Sequence, residues 1–128
     1  MYWRITLILV IAFFMPYLAR IPGMFIHGSE WMWSYIPSPE GFLFLSAFNL
    51  IALIPLAVLG FISANRGMNV AFIVTTIVYC VATFFFHSSY DLASDAQAAI
   101  GLVVFPFIIA GITLLTALIS FFAERALK

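Results

Sequence analysis

Residues 42–62 read FLFLSAFNLIALIPLAVLGFI, twenty-one positions without a charged side chain. At about 1.5 Å per residue an α-helix of that length covers about 30 Å, the thickness of the hydrocarbon core of a bilayer. The stretch therefore reads as a membrane span, and its two polar side chains, Ser46 and Asn49, share a helical face at a spacing of three.

Three more runs of the same kind flank it. Residues 5–19 are apolar between Arg4 and Arg20, residues 70–86 end at His87, and residues 98–122 end at a short charged tail. Of 128 residues 66% are hydrophobic and 8% charged, against roughly a quarter charged in an ordinary soluble domain. A water-soluble fold of this size buries only about two-thirds of its chain's surface, so the remaining apolar side chains would coat its exterior. The predicted fold is all-α: a polytopic membrane protein, a single domain over 1–128 built as a four-transmembrane-helix bundle. Its spans lie at about 3–19, 42–62, 70–87 and 96–122, with an aromatic-rich interfacial outer loop at 20–39. The first run is short, so Tyr2, Trp3 and the flanking arginines are expected to supply the missing height by snorkelling. It is expected to stay in the protein rather than be cleaved as a signal peptide, because a cut after Ala19 would put the bulky Tyr17 where a small residue is wanted.

Capping chemistry marks the helix ends independently of hydropathy. Ser38-Pro39-Glu40 has a serine N-cap, proline at the first helical position and an acid in the first turn, and predicts the start of the second helix. Ser94-Asp95-Ala96-Gln97 is a capping box and predicts the start of the fourth. Asn65-Arg66-Gly67 is a tight polar turn that should join the second and third helices as an antiparallel hairpin. Counting Lys and Arg by side puts Arg4, Arg66, Arg125 and Lys128 together against Arg20 alone. Both termini are therefore expected in the cytoplasm and the chain in a cell membrane, a bacterial inner membrane by its general character.

Five Lys plus Arg balance five Asp plus Glu, so no basic field exists to attract nucleic acid. The single cysteine, Cys80, excludes an internal disulfide and a dithiol redox role. Within the spans the polar groups are few and uncharged. Ser46 and Asn49 mark the second helix, and Thr76, Tyr79, Cys80, Thr83 and His87 fall at spacings of three and four on the third. Gly101, Gly111, Thr113, Thr116 and Ser120 are the small and hydroxyl residues of the fourth. Such residues glue helices together in lipid or line a polar pathway, and gluing is the expected role. Pro16, Pro55 and Pro106 each free a backbone carbonyl that a neighbour must satisfy.

In the outer loop Trp31, Trp33 and Tyr35 form either an interfacial belt or a docking patch for another protein, and the belt is the expected role. His87, Asp91 and Asp95, with His27 and Glu30, are the only grouping suggestive of a cation, but the helix start at Ser94 breaks their spacing, so no metal and no cofactor is expected. The chain lacks the intramembrane glutamate of small multidrug exporters, the paired cysteines of quinone-linked thiol oxidases and the arginine-bearing glycine motif of fluoride channels. No base stands beside a serine nucleophile within the spans, so enzymatic activity is not expected. What is expected is a non-enzymatic protein that meets another membrane protein or a toxin, as an immunity-type protein or accessory subunit does. The alternative is a small oligomeric channel or transporter for an uncharged or weakly charged solute.

Overall fold

A computed structural model of the chain describes residues 2–36, 38–91 and 98–128, and every regular element among them is a helix. In chain order these are α1 (Tyr2–Leu18), α2 (Ile21–His27), α3 (Glu30–Trp33), α4 (Pro39–Arg66), α5 (Asn69–Ser88) and α6 (Ala98–Leu127). Four stretches, residues 2–27, 39–66, 69–88 and 100–127, are long and apolar enough to cross a membrane.

Local chemistry sets the ends as expected for two of the three boundaries. Ser38 is extended (φ −160°, ψ 163°), and its hydroxyl accepts from the Gly41 N–H at 3.0 Å, which starts α4 three residues before the apolar run. At the other end Gly67 is left-handed (φ 70°), and its N–H donates to the Ser63 carbonyl at 2.8 Å. A side chain would be strained there, so glycine closes the α4–α5 hairpin. The capping box at Ser94–Gln97 lies outside the described residues.

Residues 20–39 differ from the loop predicted for them. The apolar helical stretch that begins at Tyr2 runs on as α2, broken only at residues 19–20, and α3 follows after a turn at Gly28. Pro22 explains the restart, since proline suits the first turn of a helix and lacks only an N–H that would be unpaired there anyway. The first candidate span is therefore 26 residues long, longer than the apolar run 5–19 by itself.

α6 packs most extensively, against α4 and α5, while α1 lies across both of these. Ala12, Ala52, Leu56, Ala71 and Ile109 meet at the centre of the bundle. Small residues set the closeness: a β-carbon at Gly60 would lie 2.9 Å from Ile5 and 3.0 Å from the Phe72 ring, so glycine lets α1 and α5 close onto α4. Gly111, by contrast, faces open space, and the buried positions of α6 include Pro106, Ile109, Thr113, Ala117 and Glu124. Pro16 leaves the Ala12 carbonyl without its helical donor, and the Tyr79 hydroxyl of α5 reaches that oxygen at 3.5 Å.

The exterior reverses the usual order of a soluble protein, with Leu43, Phe61, Ile77 and Phe85 exposed along the helices. Both termini lie at one end, the hairpin end: the Tyr2 hydroxyl donates to Asn65 at 3.0 Å and Lys128 Nζ donates to the Gly67 carbonyl at 2.6 Å. α2 and α3 form a cap at the other.

Candidate functional site

The cap is organised by Arg20, which is fully buried. Its Nε donates to the Trp31 carbonyl at 2.9 Å, and its Nη1 donates to the carbonyls of His87, at 2.8 Å, and of Tyr90. The guanidinium lies 4.1 Å from the ring centres of both Trp31 and Tyr35. The Asp91 carboxylate is near enough to attract it electrostatically. Each contact has a physical reason. The carbonyls at the end of α5 lack helical donors and carry the negative end of its dipole, so a planar cation with several N–H groups suits them, and aromatic faces favour the same cation.

The other members of the cap are tied to the same frame. The Trp31 indole N–H donates to the Ser88 carbonyl at 3.0 Å, and a β-carbon at Gly23 would lie 2.2 Å from that nitrogen, so only glycine lets α3 fold against α2. The Tyr35 hydroxyl pairs with His87 Nδ1 at 2.9 Å. Burial raises the Tyr35 phenol above its ordinary value, and the neighbouring Arg20 opposes that shift without cancelling it.

Of the three aromatic residues proposed for an outer surface, two serve the inside of the cap. Tyr35 is buried and Trp31 half-buried, because Arg20 needs their faces. Trp33 remains outward, joined by Phe25 and Ile26, which are 88% and 79% exposed. His27 stacks on Trp31 with ring centres 4.3 Å apart, and Asp91 is exposed. Asp95 lies outside the described residues. Among the described residues His, Cys, Asp and Glu form no group of three that suits a metal ion.

The second constellation is the interior of the bundle. Ser46 pairs with the Tyr17 hydroxyl of α1 at 3.0 Å, a bond between helices. Asn49, Tyr79, Thr83 and His87 are all buried, as a shared inward face requires. Thr76 lies off that face and donates to the Phe72 carbonyl at 2.7 Å; Thr75, one position earlier, takes the interior place together with Thr113 of α6. Among the described residues five buried polar atoms have no partner in good hydrogen-bond geometry: Asn49 Nδ2, Thr75 Oγ1, Thr83 Oγ1, His87 Nε2 and Thr113 Oγ1. Left dry, each costs about 1–3 kcal/mol.

Thr75 and Thr113 were legible in part, as polar residues inside apolar runs, but the choice between Thr75 and Thr76 depends on how far α5 is rotated in the bundle. Arg20 gave no such signal, since a basic residue at the end of an apolar run is ordinarily read as a fence in contact with water or headgroups.

No protein-family model, characterised protein or solved structure matches this chain.

Proposed function

We propose that this is a non-enzymatic multi-pass protein of a cell membrane, of the inner-membrane type, that works by binding another membrane protein through its α2–α3 cap, as an immunity-type protein or accessory subunit. The observation that carries this reading is the cap's construction. Arg20 fastens α2, α3 and the end of α5 into one unit, and that unit holds Phe25, Ile26 and Trp33 outward. A rigid aromatic and aliphatic surface with few charges suits an apolar segment of a partner at the level of the lipid headgroups, where rigid aromatic anchors contribute most to binding. Arg4, Arg66, Arg125 and Lys128 are exposed at the hairpin end while Arg20 is buried, so the accessible positive charge of the described residues is all at the end that carries both termini. By the positive-inside preference that end is cytoplasmic and the cap faces outward.

Photo-crosslinking in native membranes tests the reading, with the reactive amino acid placed at Phe25 or at Trp33. A discrete protein adduct is expected at both positions, lost when the other two of the three residues are changed to alanine, with the unfolding midpoint unchanged. Adducts to lipid alone, together with a lowered midpoint in the alanine variants, would mean that these side chains only anchor the protein in the interface.

The unpartnered polar atoms of the interior favour a second reading, passage of an uncharged or weakly charged solute along α4 and α5. Flux through reconstituted liposomes, compared with Asn49→Leu and Thr75→Val, decides it. Rates equal to those of empty liposomes remove it.

A further inference from the structure

The threonines of this chain fall into two sets. Thr6, Thr76 and Thr116, exposed or half-buried, turn their hydroxyls back onto their own helices and donate to the carbonyls four residues earlier at 2.9, 2.7 and 2.8 Å. This is the ordinary way for a helical threonine to satisfy itself where no polar neighbour exists. Thr75, Thr83 and Thr113 are completely buried; among the described residues the Thr75 and Thr113 hydroxyls have no partner, and that of Thr83 has only the neighbouring Tyr79 hydroxyl beside it, outside good hydrogen-bond geometry. These three hydroxyls therefore face the interior rather than their own backbones. Asn49 and His87, 2% and 0% exposed, face the same interior with an unpartnered Nδ2 and Nε2.

Depth shows how these groups are arranged. α4 and α5 leave one turn antiparallel, and the Glu124 carboxylate sets α6 in register by accepting from the N–H groups of Val70 and Ala71 at 3.3 and 2.6 Å. Counted at about 1.5 Å per residue from that turn, the groups stand at roughly 9 Å (Thr75), 17 Å (Thr113), 21 Å (Thr83), 26 Å (Asn49) and 27 Å (His87). They come from three helices and follow one another up the bundle. At its upper limit the file meets the Tyr35 hydroxyl on His87 Nδ1. With that hydroxyl donating, His87 Nε2 carries a proton and requires an acceptor on its other side.

We propose that the bundle interior is a binding site for small uncharged hydrogen-bonding molecules, and that water occupies it as a file held by Thr75, Thr113, Thr83, Asn49 and His87. Water is the ligand that fits the donor set, because hydroxyls, an amide and a neutral imidazole all need a partner that both donates and accepts. Full charges would find no counter-ion among these five residues. Buried waters of this kind make several bonds to otherwise unsatisfied groups, and in a membrane no outside solvent can do so. The proposal is separate from the choice of partner at the cap.

X-ray radiolytic footprinting of the full chain in phosphatidylcholine nanodiscs tests it. Hydroxyl radicals formed from ordered internal water oxidise the side chains beside it, whereas lipid shields the outward face. Tyr79, 1% exposed and level with the file, and His87 are expected to be labelled several-fold above Phe61, which is 63% exposed but lies along the apolar exterior. Labelling of Tyr79 and His87 as weak as that of Phe61 overturns the proposal. In Asn49→Leu and Thr83→Val the label at both positions should fall several-fold, and label that persists unchanged in both overturns it as well. Thr83→Ser, which keeps the hydroxyl and guards against a variant that fails to fold, should retain the label. Thr113→Val gives an independent sign: a hydrated hydroxyl predicts a lower unfolding midpoint, and a raised midpoint marks a dry one and overturns the proposal.

Discussion

The two ends of the bundle solve the same problem, how to satisfy the free backbone groups where helices stop, by different means. At the hairpin end the task is divided among several groups. Gly67 turns left-handed, its N–H returns to Ser63, and Glu124 reaches the first N–H groups of α5 while Lys128 pairs with Glu124 at 3.4 Å and reaches the Gly67 carbonyl. At the cap end one guanidinium gathers carbonyls from segments 11, 67 and 70 residues away and is itself held between two rings. The difference teaches where each end is vulnerable. An end whose contacts are shared among Gly67, Glu124 and Lys128 loses only part of its support with any one change, whereas an end built round one buried cation fails when that cation goes.

The largest expected effect follows at once. Arg20→Ala should cost about 3–5 kcal/mol, because it strands buried carbonyls and empties the space between two rings, as read by denaturant or thermal unfolding in detergent. Arg20→Lys should recover only part of this, since an ammonium lacks the flat fork that serves several carbonyls and stacks on both rings. An Arg20→Ala cost below that of any hairpin-end change would erase the contrast between the ends.

Gly23→Ala ranks next, at about 1–3 kcal/mol, because the added methyl overlaps the Trp31 indole and forces it off the Ser88 carbonyl. The same variant should increase proteolytic cutting within residues 20–36 and leave the hairpin end untouched.

Tyr35 gives the cap a pH dependence that the hairpin end should not share. Its phenol is held above the ordinary value of 10.0 by burial. The unfolded chain releases this proton first as pH rises, so native stability should decline above pH 10.0, and Tyr35→Phe should make that limb less steep. An absorbance titration in which all five tyrosines ionise together near the ordinary value would contradict the buried placement.

At the hairpin end the changes should be smaller. Gly67→Ala should cost about 1 kcal/mol, the strain of a side chain in the left-handed region. Lys128→Ala should shift the midpoint least of all, since half of the lysine side chain is in contact with the surroundings and exposed ion pairs contribute little.

Much of this architecture was legible beforehand, for reasons that differ from element to element. Residues 42–62 announced α4 because only a bilayer-length helix accommodates so long an uncharged run, and Ser38 and Gly67 announced its ends because their side chains, or the lack of one, decide the local backbone. Residues 20–39 were misjudged as a loop: Arg20, Glu30 and His27 lower the average hydropathy, and α2 and α3 are too short to declare themselves by periodicity. The buried polar face was half visible. Spacing along α5 picks out Tyr79, Thr83 and His87, which are all buried, but a spacing rule admits Thr75 and Thr76 alike, and only the packing of the bundle leaves Thr75 buried and Thr76 half-buried.

The sequence by itself determined a helical chain with four stretches able to cross a membrane and both ends of the chain at one end of the bundle. Hydropathy and caps act over one helix length or less and need no knowledge of distant residues. The tertiary structure alone decided that Arg20 is an internal strut rather than a fence, that Tyr35 and Trp31 turn inward while Trp33 stays out, and which polar side chains of α4, α5 and α6 are buried. Those outcomes depend on which segments meet across 11 to 70 residues of chain, and pairing at such range is set by the closure of the whole bundle rather than by any local pattern.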